Sequence, residues 1–334
     1  MSKIGKINIV KTILSNISRL RLLVIGDIIL DHYITGDARR ISPEAPVPVV
    51  AVDDDRYCLG GAGNVAVNIA RLGCDTEIVG AIGADRAGDR VIKLFHDENI
   101  FFDPNYMSPD INTIVKSRVV VRGQQLCRID REDDAQRYKI SDDIDEICQK
   151  IEHADAVILS DYAKGTFDNH NIAKFIKAAN DAHTFIAVDP KPRHMLDFQG
   201  VSLMTPNRDE ALELIHAEQY WQGDVDLPEL GKKICEKYRP KNLVITLGAN
   251  GMFIYENGGK SFQIPTYAQE VFDVSGAGDT SIACLTLALA SGESLIRAAK
   301  FANIAAGIVV SKHGTVAITK EEMLNYDNIS YLNL

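Results

Sequence analysis

The chain has 334 residues, of which 46% are hydrophobic, enough to bury a large core in one or two α/β domains. Its net charge is −10 and its pI is about 5.3, and no lysine- and arginine-rich run offsets this charge, which argues against a nucleic-acid partner. No apolar run is long enough to cross a bilayer, so we expect no membrane partner and a cytoplasmic protein. The six scattered cysteines lack CxxC or zinc spacing and are expected to be reduced core thiols.

The first segment has apolar residues at helical spacing from Ile7 to Leu20, among basic residues and no acid. This pattern predicts a helix that packs on the domain; the alternative is an amphipathic transit peptide. Arg21 to Leu30 then predicts a buried strand that breaks at Gly26-Asp27. Asp31 follows it, at the strand end where open α/β sheets place ligands. Asp31 is therefore either a ligand for substrate hydroxyls or an acid in a turn.

Two β-rich segments predict a small second sheet. Arg40 to Val52 contains three prolines in six residues and then a β-branched run, which excludes a helix and suits an edge strand. Thr113 to Arg122 is also rich in β-branched residues and could pair with it. We expect residues of about 33–58 and 112–128 to form a β lid. Its exposed apolar face would close the site, form a homodimer interface, or do both.

A glycine-rich segment, Leu59 to Asn64, precedes a predicted helix from Val65 to Leu72. Gly61 allows a ligand to approach the backbone closely, and Asn64 either bonds a sugar hydroxyl or caps the helix. A dinucleotide-binding fingerprint should directly follow the first strand, and this segment does not. A nicotinamide oxidoreductase is therefore disfavoured.

Three arginines, Arg122, Arg128 and Arg131, lie within ten residues of one another in this acidic chain. Guanidinium groups bind phosphate in a bidentate manner, so the cluster could hold a phosphate of the substrate. The alternative is ion pairing with the acids from Glu132 to Asp134. The sequence leaves both interpretations open.

From Ala154 onward, short apolar strands alternate with helices, and each strand ends in polar residues. This alternation predicts a doubly wound, mostly parallel sheet with one ligand crevice along its carboxyl edge. Asn207 and Glu210 could cap a helix instead, and the turn from Thr246 to Gly251 could be a plain hairpin. The candidate ligands at these strand ends are Asp161, Lys164, Lys191, Asn207, Glu210, Thr246, Gly248 and Gly251.

The segment from Asp273 to Asp279 leads into an apolar run that ends at Ala290. Gly276, Ala277 and Gly278 allow a tight turn whose backbone N–H groups point at one spot at a helix N-terminus, which predicts an anion site. Asp279 would take a proton from a hydroxyl that attacks phosphorus, or it would only cap the helix. In the next apolar helix, Asn303 indicates a ligand contact or a buried hydrogen bond.

Taken together, the glycine-rich segment, the Asp273 to Asp279 segment, the Asn207/Glu210 pair and the turn after Thr246 resemble the ribokinase-like (PfkB) carbohydrate kinases over nearly the whole chain. The resemblance implies an ATP- and Mg²⁺-dependent sugar kinase with a doubly wound sheet and a β lid. In this family Asp279 would be the general base, and Gly276, Ala277 and Gly278 the anion hole.

The resemblance assigns the remaining site residues as well. Sugar hydroxyls would be bound by Asp31, Gly61 and Asn64. Mg²⁺ and phosphates would be organised by Asn207 and Glu210, with Glu210 acting on the metal indirectly. The surroundings of ATP would be Thr246, Gly248, Gly251 and Asn303. Potassium is common in the family, and here it would lie near Asp273, Ser275 and Lys312 to Gly314.

Within that family, ISPEAPVPV, GGAGNVAVNIA, RGQQLCRIDRE, DYAKG and VDPK are similar to the D-glycero-β-D-manno-heptose 7-phosphate kinases of lipopolysaccharide-core biosynthesis. This implies phosphorylation of the anomeric hydroxyl, with the substrate held by Arg122, Arg128, Asp161, Lys164 and Lys191. We expect one kinase domain over 1–334 and, since no HxGH-type site follows, a separate nucleotidyltransferase. The alternatives are a PfkB kinase for an unphosphorylated sugar or nucleoside and a catalytically silent nucleotide-binding regulator.

Overall fold

The structure, a computed structural model, describes residues 3–140, 144–217, 225–256, 258–268, 270–312 and 314–326. The strands of these ranges are β1 (Arg21–Gly26), β2 (Ile28–Ile41), β3 (Pro48–Gly61), β4 (Asp75–Val79), β5 (Ile82–Gly83), β6 (Phe101–Phe102), β7 (Met107–Ser108), β8 (Ile114–Val121), β9 (Gln124–Arg131), β10 (Ala156–Ser160), β11 (Phe185–Asp189), β12 (Leu203–Met204), β13 (Asn242–Thr246), β14 (Met252–Glu256) and β15 (Ser261–Ile264). The helices are α1 (Lys3–Ile17), α2 (Ala62–Arg71), α3 (Arg86–Asp97), α4 (Ile144–His153), α5 (Asn169–Asp181), α6 (Arg208–Leu214), α7 (Leu227–Tyr238), α8 (Ala277–Ala290), α9 (Leu295–Val309) and α10 (Lys320–Asn325).

The main sheet has nine strands in the order β15-β14-β13-β12-β11-β10-β1-β4-β6. Neighbours from β6 to β13 run parallel, and only β14 and β15 add antiparallel strands at one end. The predicted mostly parallel α/β sheet is confirmed. Because the parallel strands share one direction, the carboxyl ends of β1, β10, β11, β12 and β13 lie along the same edge.

Helix α8 is the buried helix beside this edge, and it packs against α2, α9, β10 and β11. Its run from Ile282 to Ala288 is fully buried, as expected of a helix that is apolar on every side. Helix α1 is also part of the core, because Val10, Leu14 and Ile17 are buried. This agrees with the predicted N-terminal packing helix; the side chain of Ile7 lies outside the described residues.

The small sheet has the order β3-β2-β8-β9 and corresponds to the predicted lid. The predicted break at Gly26-Asp27 is present, because β1 ends at Gly26. Ile28 to Leu30 then belong to β2 of the small sheet and not to the main-sheet strand. The predicted pairing of Thr113–Arg122 with Arg40–Val52 is wrong. β8 pairs in parallel with β2, and β3 folds back on the other side of β2. The prolines before β3 favour this local hairpin because they stop β2 from continuing.

The six cysteines are free, but only Cys74 and Cys284 are buried and Cys127 is exposed, so the expectation of core thiols is only partly correct. Within the described ranges, the helices are all too short or too polar to serve as a bilayer-spanning segment.

Candidate active site

A cleft of about 110 Å³ opens at the carboxyl edge of the main sheet. It brings together several predicted residues from distant parts of the sequence: Lys191, Asn207, Glu210, Thr246, Gly276, Gly278 and Asp279. Tyr162, Asp189 and Thr205 also line it and were not singled out from the sequence. The predicted crevice is therefore present, since each of these residues follows or ends a strand of the sheet or begins α8.

Gly276 is the N-cap of α8, with φ +80°, a conformation that glycine adopts without steric cost. A Cβ at Gly276 would lie 2.7 Å from Asn64 Nδ2, so the close approach of α2 and α8 also requires glycine here. A Cβ at Gly278 would meet nothing within 4 Å, because this residue faces the open cleft. Ala277 N–H donates to the carbonyl oxygen of Val274 at 3.2 Å, so it is not free for an anion as the sequence predicted. Gly276 and Gly278 line the cleft at the N-terminus of α8, a position suited to an anion.

Asp279 lies in the first turn of α8 and is 5% exposed. Its Oδ2 accepts a hydrogen bond from Asn64 Nδ2 at 2.7 Å, and its Oδ1 accepts one from the hydroxyl of Tyr162. Burial raises the pKa of Asp279 to about 6, while the bonds from Tyr162 and Asn64 and the charge of Lys191 oppose this rise. The carboxylate bonds side chains of other elements, so it is not a helix cap.

Asn64 reaches Asp279 because α2 begins at Ala62, directly after the glycines of β3. Gly61 has φ +56°, and a Cβ there would lie 2.5 Å from the carbonyl oxygen of Asp27. Asn64 does not cap α2, whose N-cap is Gly61 without a side-chain bond. Gly61 therefore acts through close backbone packing, and Asn64 faces the base candidate.

Lys191 follows the carboxyl end of β11 and lines the cleft. Its ammonium pairs with Glu210 and lies 3.9 Å from Asp189 Oδ2. Burial raises the pKa of Asp189 to about 8, against the charge of Lys191. Lys191 was predicted to hold a substrate phosphate together with Arg122, Arg128 and Lys164, and its ammonium here lies beside Glu210. Because β11 lies beside β12, Lys191 lies with the predicted nucleotide ligands.

Asn207 and Glu210 form a capping box at the start of α6, the alternative considered from the sequence. Asn207 Oδ1 accepts bonds from the N–H of Asp209 at 3.0 Å and of Glu210 at 2.9 Å, and Glu210 Oε2 accepts the N–H of Asn207 at 2.8 Å. Both residues nevertheless line the cleft. Capping and ligand contact are therefore compatible here.

Asp31 lies within β2, where it is buried and forms an ion pair with Arg118 of β8. In the strand register Asp31 is beside Lys116, Lys116 is opposite Asp130, and Arg118 is opposite Arg128. Alternation places these side chains on one face of the lid. We call Lys116, Arg118, Arg128 and the neighbouring Lys164 the basic lid face.

The basic lid face contains one unusual cation. Burial lowers the pKa of Lys116, and the charges of Lys164 and Arg128 lower it further. Arg128 bonds Asp130 at 2.8 and 3.0 Å, and Lys164 lies 2.6 Å from Glu132. Among the described residues, Lys116 has no carboxylate within ion-pairing distance. It is the cation of this face best able to accept a new anion.

Arg122 and Arg131 do not join this face, so the three-arginine cluster expected from the sequence is not formed. Arg122 is at the turn between β8 and β9, where its side chain is 70% exposed and pairs with Asp37 at 2.9 Å. Arg131 pairs with Asp85 at 2.7 Å. Because successive side chains of a strand point to opposite faces and Arg131 is an odd number of residues from Arg128, Arg131 lies on the opposite face of the lid. Neither the common phosphate site nor the expected pairing with residues 132–134 is observed for these two arginines.

The loop after β10 is organised by two buried carboxylates, Asp161 and Asp27. Asp161 accepts the N–H groups of Ala163 at 2.8 Å and Lys191 at 3.3 Å, so it supports the site from behind the cleft. Asp27, which follows β1, accepts the N–H groups of Tyr162, Lys164 and Thr166 at 2.8, 3.1 and 3.1 Å. The loop is thereby fixed to the end of the neighbouring strand.

The remaining predicted nucleotide residues surround the β13–β14 hairpin. Thr246 bridges to Asn207 at the cleft, and Gly248 and Gly251 have φ +56° and +84° in the connecting turn. A Cβ at Gly251 would collide with the carbonyl oxygen of Ile264. Asn303 Nδ2 donates to the carbonyl oxygen of Pro265 at 2.7 Å, which is the buried hydrogen bond considered as its alternative role.

Asp273 holds the loop before α8 in place through hydrogen bonds from backbone N–H groups. Its Oδ1 accepts the N–H of Ser275 at 2.9 Å, and its Oδ2 accepts the N–H of Gly314 at 3.1 Å. His313, which belongs to the same predicted cation site, lies outside the described residues. Within the described ranges, no group of three or more His, Cys, Asp or Glu side chains could hold a metal ion.

Comparison with known proteins identifies the class of this site. The model of the pfkB family of carbohydrate kinases matches residues 19–322. The chain belongs to the pfkB family. This membership confirms the prediction of a sugar kinase, a phosphotransferase that acts on an alcohol group.

A curated relative, "Bifunctional protein HldE" of Trichlorobacter lovleyi, is 38% identical over 320 residues, which cover 94% of this chain and 64% of the relative. The chain thus spans less than two thirds of that protein's length. The solved structure of Arabidopsis thaliana ribokinase complexed with ribose and ATP is 20% identical and covers 94% of this chain and 99% of its own, with a TM-score of 0.73. Phosphofructokinase-2 of Escherichia coli in complex with potassium is 20% identical, covers 94% and 100%, and has a TM-score of 0.74. The structural likenesses establish the fold.

Six residues of the cleft, its supporting loop and the basic lid face were not singled out from the sequence: Asp27, Lys116, Arg118, Tyr162, Asp189 and Thr205. Asp27, Tyr162 and Asp189 follow or end apolar strands, which is the signal that identified their neighbours. Lys116 and Arg118 are two residues apart in the β-rich segment IVKSRVVV, so the two-residue period of a strand could have assigned them to one face. Which face meets the site depends on strand order, which the sequence does not contain.

Proposed function

We propose that this kinase transfers the γ-phosphate of ATP to the anomeric hydroxyl of D-glycero-β-D-manno-heptose 7-phosphate, giving the 1,7-bisphosphate used in lipopolysaccharide-core biosynthesis. The observation that carries the proposal is the buried carboxylate of Asp279, which lies in the cleft and within electrostatic reach of Asp31 on the lid. A nucleotide phosphate at the N-terminus of α8 and a sugar at Asp31 would meet at this carboxylate.

The chemistry follows from the surroundings of Asp279. With a pKa of about 6, Asp279 is ionised at neutral pH and is a stronger base than an ordinary carboxylate. The anomeric oxygen loses its proton to Asp279 as it bonds to phosphorus. The N-terminus of α8 at Gly276 and Gly278 would stabilise the transferring group, and Lys191 would offset its negative charge.

Mg²⁺ fits the acidic residues of the cleft. Glu210, Asp189 and Asn207 supply the oxygen ligands that Mg²⁺ accepts, directly or through water. Burial raises the pKa of Asp189, and a nearby divalent cation would favour its ionised form. The ion would supply neutralisation of phosphate charge during transfer. Thr246 and the Gly248 to Gly251 turn are the proposed nucleotide side.

The phosphate already on the substrate is proposed to bind the basic lid face. Lys116 is half-buried among Lys164 and Arg128, an arrangement of like charges that a bound phosphate would stabilise. Asp31 and Asn64 would bind hydroxyls of the same sugar. A neutral sugar has no use for this charge, so the basic lid face favours a phosphorylated substrate over the unphosphorylated sugar of the alternative PfkB function.

Two further features complete the proposal. A monovalent cation, such as the potassium found in complex with phosphofructokinase-2 of Escherichia coli, would bind at the loop of Asp273 and Ser275, where the carboxylate oxygens of Asp273 keep free lone pairs beside their backbone bonds. A homodimer would form through the lid, because Val52, Leu126 and Ile129 expose apolar side chains on its strands.

The proposal is tested by ADP release with heptose 7-phosphate, the same heptose without phosphate, and ribose. We expect turnover of heptose 7-phosphate with the lowest KM. Lys116→Met should raise that KM by about ten- to hundredfold, the effect of losing one charge-assisted hydrogen bond, and leave the KM for unphosphorylated heptose unchanged. Lys93→Met, at an exposed lysine of α3, is the matched control. Equal kcat/KM for the two heptoses would contradict a phosphorylated substrate.

A further inference from the structure

Tyr162 and Asn64 hold the carboxylate of Asp279 from two sides. The phenol hydroxyl donates to Oδ1, and Asn64 Nδ2 donates to Oδ2 at 2.7 Å. The two donors come from different elements, the loop after β10 and the first turn of α2. Two such bonds fix the plane of a carboxylate and leave one lone pair on each oxygen for a further donor.

Tyr162 is itself held in place. Its backbone N–H donates to Asp27 Oδ2 at 2.8 Å, and the same carboxylate group accepts the N–H groups of Lys164 and Thr166 on the far side of the turn. Asp27 is 2% exposed, so this anchor is part of the core. The ammonium of Lys191 lies 5.5 Å from the centroid of the Tyr162 ring. The phenol is therefore a fixed donor rather than a mobile surface group.

The charges that face Asp279 explain why a fixed donor matters. Asp31 of the lid and Asp189 of β11 both disfavour its ionised form, and burial does so most strongly. Lys191 opposes them, but it also pairs with Glu210 and Asp189. The hydrogen bonds from Tyr162 and Asn64 are the direct contacts that favour the charged carboxylate.

We propose that Tyr162 is the positioning residue of this kinase: its hydroxyl holds the base carboxylate ionised and oriented toward the hydroxyl of the sugar. The inference rests on the proposed role of Asp279. In the transfer step the sugar oxygen bonds to the γ-phosphorus, and its proton moves to Asp279. The bond from the γ-phosphorus to the bridging oxygen breaks, and its electron pair leaves with ADP. Tyr162 keeps its proton throughout.

The test is Tyr162→Phe, which removes only the hydroxyl, in the full chain with heptose 7-phosphate and ATP. We expect kcat to fall about ten- to hundredfold, as for loss of a hydrogen bond to a charged group, and KM for the sugar to stay within about threefold. The acidic limb of the kcat profile should move up by about one pH unit, since the charged form loses a donor. The phosphates of both substrates titrate identically in the two assays, so the difference between the enzymes reports on the protein.

The matched control is Tyr138→Phe. Its buried hydroxyl also bonds on both sides, to the carbonyl of Asn112 and the N–H of Asp133, but it does not contact Asp279. We expect parent-like kcat and pH profile. Asp27→Asn weakens the anchor of the Tyr162 loop and keeps the phenol. Asp27→Asn should shift the acidic limb of the kcat profile in the same direction by a smaller amount. It replaces Tyr162→Phe as the test if that variant fails to fold.

The outcomes separate this inference from the proposed function. Parent-like kcat and an unmoved acidic limb in Tyr162→Phe would overturn the role of Tyr162, while loss of turnover in Asp279→Asn would leave the base in place. Full activity of Asp279→Asn would overturn the base itself and this inference with it. If the phenylalanine variant does not fold, an unshifted profile in a folded Asp27→Asn overturns the proposal.

Discussion

Asp279→Asn should change the stability of the protein in a pH-dependent way. The pKa of Asp279 rises from an ordinary 3.8 to about 6 because the carboxylate is buried. Because the pKa of Asp279 is higher in the folded state than in the unfolded state, the folded state binds more protons between pH 3.8 and about 6. The free energy of unfolding therefore falls as the pH rises through this range. At about 1.4 kcal/mol per pH unit, the full effect above pH 6 is roughly 3 kcal/mol.

Replacing the charge with a neutral amide removes this cost at neutral pH. The amide nitrogen cannot accept the bond from Asn64, which offsets part of the gain, so we expect a net stabilisation of about 1–2 kcal/mol at pH 7.5. The gap should shrink by roughly 1 kcal/mol per pH unit below pH 6. Urea unfolding of both proteins from pH 5 to 8, with exposed Asp53→Asn as control, measures it. A variant that is less stable than the parent by the same amount at every pH would refute the reasoning.

Three other substitutions test the residues that support the site. Gly276→Ala should lower stability and should lower kcat by at least about a hundredfold, because its Cβ strains a positive φ and displaces Asn64. Gly278→Ala should lose activity but keep the parent's melting temperature, since its Cβ meets open space. Asn68→Ala should lower the free energy of unfolding, measured by urea titration, by about 3 kcal/mol. The buried side-chain amide of Asn68 donates to Asn64 O and accepts bonds from Thr280 Oγ1 and the N–H of Ile318. A loss below about 1 kcal/mol would contradict this linking role.

The position of the crevice could be predicted from the sequence better than the contacts between the residues that line it. Polar residues at the ends of apolar strands identified Asn207 and Thr246, because parallel strands bring such ends to one edge. The glycine-containing turn from Gly276 to Gly278 identified the entry to α8. The partners across the edge depend on strand order. Lys191 was assigned to the substrate phosphate, yet β11 lies beside β12 and brings it to Glu210.

The lid shows the same limit. Its two segments were found from their prolines and β-branched residues. Their pairing through β2 was not predicted, because the residues of two strands do not by themselves specify the order of strands in a sheet. The face of each residue then follows from register. Arg128 lies on the same face as Asp31, whereas Arg131 points to the other side, and Arg122 reaches only the exposed turn.

The central claim is that Asp279 activates the anomeric hydroxyl of a sugar phosphate for attack on ATP. Phosphorus NMR of heptose 7-phosphate with ATP, Mg²⁺ and the enzyme follows the transfer directly. We predict a new anomeric phosphate resonance and ADP with the parent protein, and a rate lower by about 10² to 10⁴ with Asp279→Asn. A phosphate on another position, no transfer to the heptose, or a rate within about tenfold of the parent in Asp279→Asn would contradict the claim.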